Sequence, residues 1–276
     1  MTICYNAADV IVPTIESVLS QDYDNYEYII EDGMSDDDTE KIVESYIEKF
    51  RSRGIKVIYN RKEDSGIYDA MNKGAGSANG DYVNFMNAGD CFYSPDVLGS
   101  VAKSLGGFEE PDIPEVVYGD CAVYEYGRFF LFQKSYDSIE EKMPFSHQSV
   151  FMKRGFLKDH PFNTSYRFSA DYDLLLTAHK EGAAFFDSGV TVCIATADGL
   201  SSVNYHDTLM ESADILKSHG VFHLSEKELS KTEKVLRIKQ FVLDRFPVSV
   251  KKMIRDRQIR SRGQAFDPVI PPWFNK

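Results

Sequence analysis

The stretch Ile55-Lys56-Val57-Ile58-Tyr59-Asn60-Arg61-Lys62-Glu63-Asp64-Ser65-Gly66-Ile67-Tyr68-Asp69-Ala70-Met71-Asn72-Lys73-Gly74, continuing to Tyr82-Val83-Asn84-Phe85-Met86-Asn87-Ala88-Gly89-Asp90, decides the fold. β-Branched and aromatic residues mark Ile55–Tyr59 and Tyr82–Met86 as strands, and the pattern between them reads as a helix over Ile67–Ser77. The alternation continues upstream. Thr2–Tyr5 is a short extended run, Val10–Ser20 a helix, and Tyr26–Ile30 a strand. Asp38–Phe50 is a helix with an apolar stripe at Ile42, Val43, Tyr46, Ile47 and Phe50, capped by the Asp36–Asp38 cluster. Strands alternating with helices imply an α/β domain with a parallel sheet covered on both faces. From about Val116 the pattern is more mixed, with strands near Val116–Tyr124 and Phe129–Gln133 and a helix over Ala170–Lys180.

In such a sheet, ligands bind beyond the carboxyl ends of the strands. The first strand ends at Tyr5-Asn6, the second at Glu31-Asp32-Gly33, the third leads to Glu63-Asp64-Ser65-Gly66, and the fourth ends at Asn87-Ala88-Gly89-Asp90. Loops of α/β proteins are rich in such residues anyway, so any one position is unremarked. Four together bring carboxylates to one rim, where they repel unless a cation or a donor-rich ligand sits among them. No GxxxxGK[ST] loop is present. The glycines of Gly74–Gly80 have the wrong last spacing for a dinucleotide motif and precede a strand rather than follow one. Acidic side chains holding Mg²⁺ or Mn²⁺ are then the expected means of binding a diphosphate.

In this order and spacing, Tyr5-Asn6-Ala7, Ser17-Val18-Leu19-Ser20-Gln21, Tyr26 to Asp37, Glu63 to Gly74 and Gly80 to Asp90 resemble the family 2 glycosyltransferases. The resemblance covers roughly Thr2 to Ser202 and implies the GT-A fold, a mostly parallel central sheet flanked by helices. It also implies a nucleotide-sugar-binding half at 1–115 and an acceptor half at 116–225. Carried over residue by residue, Tyr5 resembles the position that packs on the nucleotide base, with Asn6 beside it. Asp32 resembles the carboxylate that hydrogen-bonds the base, and Asp64 a further nucleotide-contacting acid. Lys73 belongs to the same block and is expected to bind the donor. Asn87, Gly89 and Asp90 occupy the metal-binding Asp-x-Asp position, but its first acid is missing, so Asp90 alone is the expected metal ligand. His147-Gln148 resembles a pair near the diphosphate or the acceptor, His147 being the donor-binding candidate. Ser169-Ala170-Asp171-Tyr172-Asp173 resembles the acidic motif that supplies the catalytic base, here Asp171. The implied activity is inverting transfer of one sugar from a nucleotide sugar, a UDP-sugar first, to a hydroxyl of a saccharide acceptor in cell-surface polysaccharide synthesis of the bacterial O-antigen or capsule kind. Processive members carry a Gln-x-x-Arg-Trp motif and membrane spans. The single tryptophan, Trp273, lies in no such motif.

Charge separates the chain into two parts. Between Lys231 and Arg262 the net charge is +8 while the whole chain carries −12, so the remainder carries −20. That balance argues against a nucleic-acid partner. The domain boundary is expected near Ser225, with a basic amphipathic helical tail at 226–276. Val235–Met253 interleaves apolar and basic residues and could lie on an anionic membrane surface, which suits a lipid-linked acceptor, or pack on the acidic body. Pro247 interrupts any single long helix. No run of apolar residues is long enough to span a bilayer, and the chain opens without a leader, so a cytoplasmic protein, peripheral on the inner membrane face, is expected. Only four residues precede Tyr5, which leaves room for a start further upstream. Cys4, Cys91, Cys121 and Cys193 form no CxxC pair and read as buried reduced thiols. His219 and His223 have helical metal-like spacing but read as solvated residues, and Asn163-Thr164-Ser165 as an unused glycosylation sequon. Two other readings compete. A sugar nucleotidyltransferase would need a Gly-rich basic loop after the first strand, which Tyr5-Asn6-Ala7-Ala8-Asp9 lacks. A non-catalytic nucleotide-sugar-binding subunit is suggested by the missing first metal acid.

Overall fold

A computed structural model of the chain describes residues 1–196, 204–222, 225, 230–231, 234–235, 245–261, 266, 268 and 270–274. Three parallel strands form the first sheet: β1 (Thr2–Cys4), β2 (Glu27–Asp32) and β3 (Lys56–Arg61), in spatial order β1-β2-β3. Tyr28 to Asp32 are buried on both faces of β2, as expected of a central parallel strand. Cys4 pairs with Asp32 and Asp32 with Arg61, so the three strands end level and their loops share one rim. The crossovers are α1 (Ile11–Leu19) and α2 (Thr39–Ser52). Asp37, within the predicted capping cluster, accepts from the Thr39 main-chain N–H at 3.0 Å, whereas Asp38 makes no cap bond.

Next come α3 (Ile67–Ser77), β4 (Tyr82–Asn84), β5 (Cys91–Phe92) and α4 (Val97–Ser104). The chain after β4 runs beside β1 in the parallel sense: Met86 N–H donates to Met1 O at 2.8 Å and Ala88 N–H to Ile3 O at 3.2 Å. The Asn87–Asp90 turn is thereby brought level with Tyr5. Beyond it the pairing changes character. The second sheet has the order β4-β8-β6-β9-β5, built from β6 (Val116–Glu125), β8 (Val150–Lys153) and β9 (Phe185–Thr196), with β7 (Arg128–Leu131) as a hairpin on β6. Here β4–β8, β6–β8 and β5–β9 are antiparallel, and β6–β9 is parallel. The expected parallel sheet is thus the N-terminal part of a mixed array.

The other helices are α5 (Arg154–Asp159), α6 (Ala170–Lys180), α7 (Tyr205–Ser218) and α8 (Val248–Ser261). Two cores lie on opposite faces. Ile3, Tyr68, Met71, Met152, Leu176 and Ile215 bury α3, α6 and α7 on one face. Ile11, Ile15, Tyr28, Val43, Phe50 and Val97 bury α1, α2 and α4 on the other. All four cysteines are buried and lie outside any disulfide. His219 corrects an expectation: it is mostly buried, and its Nε2 lies 2.8 Å from Asp173 Oδ1, tying α7 to α6. His223, Arg262 and residues 236–244 lie outside the described residues. The described helix of the tail is α8, which starts just after Pro247. After it, Trp273 and Phe274 are buried against Cys91, Ala122 and Ile194, and the indole N–H donates to Phe92 O at 3.0 Å. Among the described residues no helix is long and apolar enough to cross a membrane.

Candidate active site

Two groups of side chains stand on the rim where the strands end. The first surrounds Tyr5, whose ring is 65% exposed and so free to take a planar ligand on its face. The backbone beneath it is stitched to the β2–α2 loop. Asn6 adopts a left-handed φ of 48°, its N–H donates to Ser35 Oγ at 2.9 Å, and its Oδ1 accepts from the Asp36 N–H at 2.9 Å. Ala7 N–H donates to Thr39 Oγ1 at 2.8 Å and Ala8 N–H to Asp37 Oδ2 at 3.0 Å. Asp37 is held below its ordinary value, chiefly by the Thr39 hydroxyl, with the Ala8 and Thr39 amides adding to it against slight desolvation. Gly33 leaves the floor open: a Cβ there would meet Asp64 Oδ2 at 2.5 Å and the Tyr5 ring at 3.4 Å.

Asp32 lies at the end of β2. Its side chain is fully enclosed: Oδ1 accepts from the Ser35 N–H at 2.8 Å and hydroxyl at 2.6 Å, and Oδ2 from the Tyr59 hydroxyl at 2.8 Å. The carboxylate holds the Ser35 loop under Tyr5. Burial and the Asp32 hydrogen bond keep the Tyr59 phenol protonated, hence a donor. Lys73 lies on α3. Its Nζ donates to Glu63 O and to Asp69 Oδ2, both at 2.8 Å, which staples the loop that carries Asp64.

The second group joins the β4 end to α6. Asp171, in the first turn of α6, has its side chain 17% exposed; Oδ1 accepts from the Tyr68 hydroxyl at 3.1 Å and from the Tyr172 N–H at 2.9 Å. His147 Nδ1 lies 3.2 Å from Asp171 Oδ2, and the Asn87 amide nitrogen lies 3.1 Å from His147 Nε2. With Nδ1–H donating to Asp171, Nε2 accepts from Asn87. Burial pulls the His147 pKa down, but the Asp171 hydrogen bond and charge, then the Asp90 charge, outweigh it and the value is raised. Burial, followed by the Asp171 charge, pushes the Tyr68 phenol well above its ordinary value, so it stays a donor.

Asp90 is 8% exposed; Oδ2 accepts from Gln148 Nε2 at 2.7 Å and Oδ1 from the Thr196 N–H at 3.3 Å. Thr14 fastens the turn, its hydroxyl donating to Asp90 O at 2.6 Å and accepting from the Gly89 N–H at 3.0 Å. Gly89 has φ +101°, which favours glycine. Asn87 Oδ1 is buried without a hydrogen-bond partner. An orphaned oxygen and one carboxylate on a single turn are hard donors that fit Mg²⁺ or Mn²⁺. Among the described residues no group of three or more His, Cys, Asp or Glu could hold a metal ion.

The structure therefore brings Asn87, Asp90, His147 and Asp171 into one hydrogen-bonded cluster, and sets Tyr5 and Asp64 beside Gly33, with Asn6 next to Tyr5, on the same rim. Tyr68 links them, since α3 starts just past Asp64 and its first turn reaches Asp171. Asp173 faces α7 through His219 and takes no part. The sequence reading missed the parts played by Tyr68 and Gln148, although both stood inside motifs it had quoted.

The profile of the family described as "Glycosyl transferase family 2" matches residues 1–175. A Mycobacterium tuberculosis protein named "PGL/p-HBAD biosynthesis glycosyltransferase" is 33% identical over 173 residues, covering 61% of this chain and 64% of that protein. The chain thus spans under two thirds of the length of these mycobacterial relatives. Among solved structures, Staphylococcus aureus TarS 1–349 in complex with UDP superposes with a TM-score of 0.61 at 18% identity, covering 83% of this chain and 67% of that one. The Pyrobaculum calidifontis mannosyltransferase PcManGT, in complex with GDP-Man and Mn²⁺, superposes with a TM-score of 0.62 at 18% identity, covering 94% and 79%. These two likenesses show the shared GT-A fold.

Proposed function

The chain belongs to glycosyl transferase family 2, and we propose that it moves one sugar from a nucleotide sugar to a saccharide hydroxyl with inversion, using Asp171 as general base. The observation that carries the reading is the convergence of Asp171, His147, Asn87 and Asp90, drawn from α6, the turn before β8 and the turn after β4. A carboxylate oriented by Tyr68 and His147 can take the acceptor hydroxyl proton as that oxygen bonds to the anomeric carbon. The bond from that carbon to the diphosphate oxygen breaks on the opposite face, which gives inversion. His147, tied to Asp171 through Nδ1 and to Asn87 through Nε2, stands beside the diphosphate's place and keeps both side chains in position.

Tyr5 stacks on the nucleotide base, over a floor that Asp32 and Ser35 hold in place, with Asp64 at its edge. Asn6 beside Tyr5 and Lys73 in the Asp64 block complete the donor-binding set. A UDP-sugar is the preferred donor, supported by the UDP bound in TarS. Asp90 and the Asn87 amide oxygen would hold a divalent cation together with the donor's diphosphate. Such an ion supplies charge neutralisation on the departing diphosphate; the Mn²⁺ in PcManGT supports it.

The acceptor is a saccharide, lipid-linked in cell-surface polysaccharide synthesis, with the chain peripheral on a membrane. Support for the membrane clause comes from exposed Phe246, Val248, Met253 and Ile270 within a strongly basic tail. Flotation with anionic vesicles should carry the full chain and leave a chain cut at Ser225 behind; equal partition of both contradicts that clause.

Asp171→Asn tests the base. It should nearly abolish transfer, by roughly 10²- to 10⁴-fold, while calorimetry shows unchanged nucleoside diphosphate affinity. Full turnover by the variant contradicts the assignment.

A further inference from the structure

Glu211, on α7, is remote in sequence from every residue of the site, yet its carboxylate gathers three consecutive main-chain N–H groups. Oε1 accepts from Arg167 at 2.8 Å, and Oε2 from Phe168 at 2.7 Å and Ser169 at 3.0 Å. These are the last residues before α6. Ser169 is also held by its hydroxyl, which donates to Thr208 O at 3.3 Å on the same α7. The Ser169 carbonyl in turn accepts from the Tyr172 N–H at 3.0 Å and the Asp173 N–H at 3.1 Å, closing the first turn of α6 around Asp171. Further along, the contact of His219 with Asp173 at 2.8 Å makes a second tie between the two helices.

We infer that Glu211 is a positioning residue for transfer: by clamping Arg167–Ser169 it fixes the start of α6 and so aims the Asp171 carboxylate at the acceptor. This rests on the reading of Asp171 as the base. Hydrogen bonds to an ionised acceptor are the strong, directional kind, and three from successive amides leave the peptide planes little freedom to rotate. A negative charge ahead of α6 also suits the positive end of the helix dipole. Without the clamp, three donors lose their acceptor and the segment leading into Asp171 is free to reorient. Displacement of a catalytic group by a fraction of an ångström to an ångström costs rate far more than it costs ground-state binding. Glutamine keeps a carbonyl oxygen in place for part of the set, so it should restore part of the function.

The test measures kcat and donor KM for wild type, Glu211→Ala, Glu211→Gln, Asp171→Asn and the Asp171→Asn/Glu211→Ala double variant, with long incubations for residual transfer. Glu211→Ala should lower kcat about tenfold while donor KM stays within about twofold. Glu211→Gln should recover part of that loss. In the Asp171→Asn background, Glu211→Ala should change the residual rate by less than about twofold, because its effect runs through the missing carboxylate. Wild-type kcat in Glu211→Ala beside an inactive Asp171→Asn overturns this inference alone. An equal fold-loss in both backgrounds overturns it too, since it reports a general structural role. Full activity of Asp171→Asn overturns the base assignment. Should Glu211→Ala fail to fold, Glu211→Gln carries the same comparison, with a smaller expected loss.

Discussion

Replacing Gln148 by methionine keeps the length and unbranched shape of the side chain and removes only its polar end. Gln148 is 9% exposed and donates to Asp90 Oδ2 at 2.7 Å, while its Oε1 accepts from the half-buried Ser146 hydroxyl. The Ser146 hydroxyl can turn to water, so its loss is small. The bond to the enclosed carboxylate is charge-assisted, and its removal is worth about 1.5–3 kcal/mol. For a chain of this size, roughly 2–4 °C of melting temperature follows each kcal/mol, so Gln148→Met should melt about 3–12 °C lower. Asp90 also loses its orientation toward the diphosphate, and nucleoside diphosphate affinity in Mn²⁺ should fall about tenfold, equivalent to about 1.4 kcal/mol. Thermal unfolding with and without ligand reads both effects. A melting shift below about 1 °C refutes the claim that Gln148 holds Asp90. A lowered melting temperature with undiminished affinity refutes the link from Asp90 to the diphosphate.

Gly33→Ala should leave the melting temperature nearly unchanged but weaken nucleotide binding about tenfold, because its Cβ at 2.5 Å from Asp64 Oδ2 displaces that side chain from the base pocket; titration calorimetry checks it. Asp37 has a depressed pKa, so its contribution to stability is present above the unfolded carboxylate value and disappears as pH falls through the lower folded one. Asp37→Asn should therefore melt below wild type at pH 7, and the gap should close as the pH drops below the ordinary Asp range, about 4. Trp273→Ala removes a buried indole and its bond to Phe92 O, at a cost of about 3–5 kcal/mol; a melting temperature within a degree of wild type contradicts docking of the C-terminal segment on β5.

The sequence carried the parallel half of the fold well, because its signals are local. The helices over Ile67–Ser77 and Ala170–Lys180 were legible from apolar spacing, and the polar residues after each strand located the rim. What it could not convey arises between distant segments. β5 is two residues long, too short for any periodicity, and the antiparallel pairing of β4 with β8 joins residues from different halves of the chain. Asp32 stood where the resemblance put a base contact, and its enclosure by Tyr59 on the neighbouring strand and Ser35 in the loop gives no sequence signal. Lys73 pairs with Asp69, one helical turn away, a spacing that could have been read from the sequence. The pairing of His147 with Asp171 needs tertiary structure to be seen, and Glu211 lies in no motif. In physical terms, strands, helices and the rim follow from pattern, whereas the burial and partner of each acid follow from packing.

The central claim is that this chain breaks the bond between a nucleoside diphosphate and a sugar. Incubation with UDP-, GDP- and dTDP-sugars and Mn²⁺, with and without saccharide acceptors, should release one nucleoside diphosphate for each sugar transferred, slowly to water and faster to the right hydroxyl. UDP-sugars should be the preferred donors, and Asp171→Asn should release almost none. Binding of these donors with no release of nucleoside diphosphate under any of these conditions, acceptor or none, would contradict the claim and leave a protein that only holds its ligand.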